Sequence, residues 1–285
     1  LQLQGGQLRG SGTIAGSVSN TGAIIRPGGS GEPGLITVSG NYTQGSGGTL
    51  AIELGGTTPG IEHDQLVVGG VATLGGTLDV GSFGGFTPGF GDEFRVVQAT
   101  NNPGTFASLT GMTSGISQAS DATGLSIVQN GVVYMWDAGG GSNDWFTPEN
   151  WAPDGVPGVG DTAILGINST ITLTNPVTVA TFQQSNGTFG GTATLTVTSS
   201  FDWSGGTQAS SAGATTIAAG ATATISGPAN HPLSRILNNA GTLTWTGAGV
   251  IAGQFGGVIN NLAGGIFDIQ TDADFVVFGG TVGVA

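Results

Sequence analysis

The chain has 285 residues, 57 of them Gly and none Cys, and 17 acidic residues stand against four Arg and no Lys, a formal net charge of −13. Nucleic-acid binding needs a basic footprint and anionic membrane surfaces attract basic clusters, so the charge balance excludes the first as a partner and disfavours the second. Thiol chemistry and Cys-ligated zinc are excluded with the cysteines. With 38% hydrophobic residues and only 7% charged, the chain lacks the low hydrophobicity and high charge of disorder, and it is expected to fold.

The residues enriched beside Gly are Thr, Val, Ile, Ala, Asn and Ser, which suit half-buried strands and tight turns. No window combines apolar residues at helical spacing with helix caps. The expectation is an all-β chain. In chain order, short apolar runs are punctuated by Gly: Gly34-Leu-Ile-Thr-Val-Ser-Gly40, Gly48-Thr-Leu-Ala-Ile-Glu-Leu-Gly55, Asp64-Gln-Leu-Val-Val-Gly69 and Gly76-Thr-Leu-Asp-Val-Gly81. Alternation makes Leu50, Ile52 and Leu54 inward candidates. Such patterns fit sandwiches, barrels or β-solenoids.

Internal similarity favours the solenoid. Gly12-Thr-Ile-Ala-Gly16 recurs as Gly249-Val-Ile-Ala-Gly253, and an Asn-containing turn follows each, at Asn20 and at Asn260. A third copy of the turn, Asn238-Asn-Ala-Gly-Thr-Leu243, precedes the Asn260 copy by 22 positions, the length of one coil of about 20–30 residues. Asn at the same place in successive coils can form a hydrogen-bonded ladder. Gly131-Val-Val-Tyr-Met135 reads as a final strand before a loop from Asp137 to Gly160. Thr/Ala-rich strands follow, including Ile171–Thr174 and Ala193–Thr198. Two β-units are therefore expected, 1–136 and 137–285, stacked as one rod.

The stretch from Pro27 to Gln44 resembles a recurrent module of giant bacterial surface proteins. So do Gly48–Glu53, Asp64–Val68, Gly76–Asp79 and Phe86-Thr-Pro-Gly-Phe-Gly-Asp-Glu-Phe94. Trp145-Phe-Thr-Pro-Glu-Asn-Trp151, followed by Val156-Pro-Gly-Val-Gly-Asp-Thr-Ala163, is similar to a "W…NW…P…GD.A" unit of the same architectures. The resemblance is to autotransporter-passenger-like and filamentous-haemagglutinin-like repeat modules. It implies a right-handed parallel β-solenoid (β-helix) rod with loop excursions, export to the bacterial cell surface or beyond, and a role in surface structure or adhesion.

The residues that carry chemistry are few. Asp272 and Asp274 would share one face of a strand, Asp92 and Glu93 would face opposite ways, and Glu62 and Asp64 bracket His63 in a turn. None has the polar and basic surroundings of a tuned acid pair. His63 and His231 are the only histidines, and each is expected in an exposed loop. Asp137, Asp144, Asp154 and Asp161, with Asn143, Glu149 and Asn150, lie around the Trp-rich loop. They could offer Ca²⁺ its oxygens, or could simply cap turns. Trp136, Trp145 and Trp151 would form either an exposed sugar platform or a core plug, and the core is favoured; Trp203 and Trp245 read as packing residues. Asn41, Asn168 and Asn186 head glycosylation sequons. No catalytic or cofactor-binding residue is assigned.

No apolar run of about 18 residues exists, so no transmembrane helix is expected. Leu1–Gln4 starts in mid-strand pattern and Phe275–Ala285 stops within one, neither with a polar cap. The expectation is a non-enzymatic component of an extracellular filament, surface layer or matrix that self-associates head to tail through its ends. The alternative is a glycan-binding adhesin segment.

Overall fold

The computed structural model describes residues 1–112, 115–210 and 212–278. The period-2 pattern sets the fold, because alternate side chains leave opposite faces of a strand. In Thr49–Leu54 the inward residues Leu50, Ile52 and Leu54 are buried, while Glu53 between them is only half-buried. The four Gly-bounded runs fold as strands Leu35–Val38, Thr49–Leu54, Gln65–Val68 and Thr77–Ser82. Among the described residues there is no α-helix, only a 3-10 turn at Pro148–Asn150. The chain is all-β and its sheets are predominantly parallel.

The chain divides into two compact units, after Asn130. In the first, successive strands fall in rotation into three sheets. Gln2–Leu3, Val18–Asn20, Tyr42–Gln44 and Ala72–Thr73 form one sheet. Gln7–Gly10, Ile24–Pro27, Thr49–Leu54, Thr77–Ser82 and Ser108–Gly111 form the second. Gly12–Ile14, Leu35–Val38, Gln65–Val68 and Glu93–Gln98 begin the third. Pairing in these sheets is parallel and stacks like on like: Leu8 on Ile25, Ile25 on Leu50, Leu50 on Leu78 and Leu78 on Leu109. The third sheet ends differently. The hairpin of Ile116–Asp121 and Gly124–Gln129 adds antiparallel to Glu93–Gln98.

In the second unit two long strands, Val177–Gln184 and Thr194–Trp203, pair along their length with a bulge. The next rungs split this ladder into two. The first half of Thr194–Trp203 pairs with Ala214–Ile217 and the second half with Thr222–Ile225. These continue as Ile236–Asn239 with Thr242–Trp245, then Val258–Asn261 with Ile266–Ile269. A second sheet stacks Thr170–Leu173, Thr188–Gly191, Thr207–Gln208, His231–Leu233, Ile251–Gln254 and Phe275–Phe278. The core contains Phe182 stacked on Phe201 at 6.0 Å.

The 22-residue repeat is real. Asn238 pairs with Asn260 and Asn239 with Asn261. Asn260 Nδ2 donates to Asn238 Oδ1 at 3.0 Å, and Asn239 Nδ2 donates to Asn261 Oδ1 at 2.7 Å. The strand expected to close the first unit belongs to the second: Val133–Trp136 pairs parallel with Thr162–Leu165. The hairpin already occupies the last edge of the first unit's third sheet.

Candidate functional site

The sequence candidates separate into turn caps and core. Asp161 Oδ1 accepts from the Val132 amide at 2.7 Å and its Oδ2 from the Gly158 amide at 2.9 Å. Asp137 accepts from the Gly139 amide, Asp144 from the Phe146 amide, and Asn150 bonds Gly140, Ser142 and Asp144. These side chains fix the loop around Trp145. Among the described residues no group of three or more His, Asp or Glu converges on a metal-sized site.

All five Trp are buried. Trp151 lies edge-on to Trp136 at 5.0 Å and to Trp145 at 4.8 Å, and Trp145 packs on Phe182 and Phe189. The indole N–H groups of Trp136, Trp145, Trp151 and Trp203 donate to Ser169 Oγ and to the carbonyls of Pro157, Trp145 and Gly206. The trio plugs the core and presents no platform.

Both histidines are buried, which corrects the expectation of exposed loops. His63 ends a loop that folds inward: Nδ1 lies 3.0 Å from the Gly56 carbonyl and the ring meets Phe94 edge-on at 5.6 Å. His231 opens the strand His231–Leu233 at an inward position, its ring 4.9 Å from Trp203. Burial holds both imidazoles below their ordinary pKa. Asp64 is also buried, accepting from the Gly34 amide at 2.7 Å and the Glu53 amide at 2.9 Å, and burial pushes its carboxyl up to about 7. Glu62 instead caps its own loop through the Thr58 amide.

The acid pairs do not form a cleft. Asp272 and Asp274 lie in the connection before Phe275–Phe278 rather than on a strand, so alternation does not align them. Asp92 caps the Gly89 amide, and Glu93 begins the strand carrying Arg95, 3.9 Å away.

Among the described residues, the first-rung strands Gln2–Leu3, Gln7–Gly10 and Gly12–Ile14 pair on one side only, as do Val258–Asn261, Ile266–Ile269 and Phe275–Phe278. Other terminal edges are partly covered. Asn101 clamps both the amide and the carbonyl of Ala72 at 2.9 Å, and the Thr170–Leu173 edge is bonded by Asn143 and Trp145. The first rung has a hollow of about 190 Å³ lined by Leu8, Gly10, Ser11, Gly12, Ile14 and Ile36. It exists because Gly10 and Gly12 stand where the next rung carries Pro27 and Ile36. In the last rung Ile266, Ile269, Val277 and Phe278 are exposed. Sequence pattern had flagged Leu1–Gln4 and Phe275–Ala285, of which 279–285 lie outside the described residues. It missed the paired glycines and the Ile266–Ile269 strand; their signal is a run of apolar and Gly residues at positions where the neighbouring strands are filled or polar. No protein-family model matches the chain, and no match was found among curated proteins or solved structures.

Proposed function

We propose that each unit is a right-handed parallel β-solenoid and that the chain is a non-enzymatic structural component of an extracellular bacterial filament, surface layer or matrix. Copies associate head to tail through open rung edges. The observation that carries this reading is the residue-on-residue parallel pairing that runs from rung to rung in both units. Successive parallel strands joined by crossovers are right-handed in about 98% of cases. Unpaired parallel edges are templates for another chain. Asp64, Asp92, Asp137, Asp144 and Asp161 accept from backbone amides, and Glu53, Glu93 and Asp121 lie beside arginines, which are fold-shaping roles that support a structural reading. The glycan-binding alternative calls for exposed aromatic platforms, whereas the Trp trio is internal.

Sedimentation velocity over a wide concentration range, with negative-stain imaging of the same samples, tests the reading. Concentration-dependent growth into regular filaments is expected. A species that stays monomeric at every concentration, or that releases reducing ends from polysaccharides, would overturn it.

A further inference from the structure

We infer that Arg235, Thr215, Gln208 and Gln184 form a one-way hydrogen-bond relay that binds the two sheets of the second unit into one cooperative block. The inference goes beyond the self-association reading and uses only contacts inside that unit.

The relay starts from an anomaly in an inward column. Thr215 pairs with Leu195 on one side and Leu237 on the other, and all three are buried. Apolar alternation calls for Val or Leu at such a position. The hydroxyl is instead held between two polar side chains. Arg235 Nε donates to Thr215 Oγ1 at 3.1 Å, and Thr215 Oγ1 donates to Gln208 Oε1 at 3.0 Å. Gln208 Nε2 donates to Gln184 Oε1 at 2.6 Å, and Gln184 Nε2 donates to the carbonyls of Gly187 and Thr207, each at 3.2 Å. All four side chains are buried.

Both ends impose the same direction. A guanidinium can only donate, so Thr215 Oγ1 accepts there and has one proton left, for Gln208. That fixes which end of the Gln208 amide faces Thr215 and turns its NH2 group toward Gln184. Backbone carbonyls can only accept, so Gln184 presents its NH2 group to Gly187 and Thr207 and its oxygen to Gln208. No member can turn over alone without setting donor against donor or acceptor against acceptor where water does not reach. Bonds in such a chain polarise one another, and a lost member leaves its neighbours unpaired in the interior.

The relay also crosses between sheets. Gln184 and Thr215 lie in the eleven-stranded sheet, whereas Gln208 lies in the six-stranded one. Arg235 repeats the tie, donating to the Gly191 carbonyl in the six-stranded sheet and the Ala214 carbonyl in the eleven-stranded one. Backbone pairing within each sheet does not supply such a link.

Thr215→Val removes the hydroxyl with almost no change of shape. Packing alone predicts that Val between Leu195 and Leu237 leaves the urea midpoint unchanged or higher. The relay predicts an unfolding constant raised about tenfold, read by Trp emission. A double-mutant cycle of Arg235→Met and Gln184→Met, which share no hydrogen-bond partner, measures the coupling. Independent sites add to within about twofold. The relay predicts a departure from additivity of about tenfold, and additivity again when the cycle is repeated in the Thr215→Val background. In isotope-labelled protein the Gln184 side-chain amide signals should move on Thr215→Val, although Gln184 has no bond to residue 215. Should the double variant not fold, the Val variant and its amide signals decide alone. A Val variant as stable as the unaltered chain, or Gln184 signals that stay in place, would overturn the relay. So would an additive cycle, or a coupling that survives without the Thr215 hydroxyl.

Discussion

Arg235→Met tests whether a buried cation with no counter-ion holds the second unit together. Arg235 is fully buried. Its Nε donates to Thr215 Oγ1 at 3.1 Å, Nη1 to the Gly191 carbonyl at 3.0 Å, and Nη2 to the carbonyls of Ala193 and Ala214 at 2.6 and 2.8 Å. The guanidinium lies 4.9 Å from the centre of the Phe189 ring. Without a carboxylate beside it, burial pulls its pKa down to about 10. Each hydrogen bond from a charged donor is worth about 1.5–3 kcal/mol, so four give about 6–12 kcal/mol gross. Burying the guanidinium offsets several kcal/mol of that, while the carbonyls of Gly191, Ala193 and Ala214 left without a donor cost about 1–3 kcal/mol each, so a net loss of about 3–5 kcal/mol is expected. All five Trp lie beyond Asn130, so Trp emission during urea unfolding reports the second unit alone. With a slope near 2 kcal/mol/M, the midpoint should fall by about 1.5–2.5 M. Arg235→Lys keeps the charge but loses the planar fork, and it should fall in between. A Met variant with an unchanged or higher midpoint at the same slope would refute the reasoning, because the buried charge would then be a net cost.

Four further outcomes are expected. Trp-monitored stability should fall as pH drops from 7 to 5, because burial keeps His231 below its ordinary pKa and the unfolded chain binds the proton first; His231→Phe should flatten that slope. In the first unit the sign reverses for Asp64, whose carboxyl is raised to about 7. Between about pH 4 and 7 the folded state holds a proton the unfolded chain has lost, so this contribution shrinks as pH rises. Asp64→Asn should cancel it in hydrogen exchange of the Gln65–Val68 amides, and an identical pH dependence in the variant would count against it. Asn239→Leu orphans the Gly241 amide and the Ile266 carbonyl, costing about 2–4 kcal/mol in the Trp-monitored transition; a loss below the error of the titration would contradict the ladder's role. Arg95 holds Asp121 through two bonds of 3.1 and 2.7 Å, and the same contact keeps that carboxyl well below its usual range. Arg95→Ala should therefore speed amide exchange in Ile116–Gln129 while the earlier rungs keep their protection.

Strands were legible in the sequence because alternation is local: Leu50, Ile52 and Leu54 declare their inward face within six residues. Rung length was not, because the connections absorb it. Leu8 pairs with Ile25, 17 positions on, whereas Leu78 pairs with Leu109, 31 positions on. Only where the connections stay constant does a fixed period surface, as with Asn238 and Asn260. The acids at Asp272 and Asp274 mimic strand alternation, but the strand begins only at Phe275. The open edges were half legible, since unfilled positions such as Gly10 and Gly12 acquire meaning only against Pro27 and Ile36 in the next rung.

The misread histidines point to a more general feature of this fold. Many buried polar residues sit where a strand ends and the chain turns a corner. Asn20, Gln44, Gln184, Gln208 and Asn239 each close a strand, and His231 opens one. At a corner, backbone groups leave the ladder and some point inward, where water cannot reach them. Asn20 bonds both the amide and the carbonyl of Ala23. Gln44 Nε2 donates to the carbonyls of Gly48, Gly75 and Thr77, and Gln184 Nε2 to those of Gly187 and Thr207. Apolar alternation thus decides which face of a strand is inside, and inward amides at its end bind that rung to the next. Counting two residues back from Leu233 puts His231 inside, and counting two back from Leu237 does the same for Arg235. The signal was present, but equating polarity with exposure concealed it at the positions where the interior requires donors and acceptors.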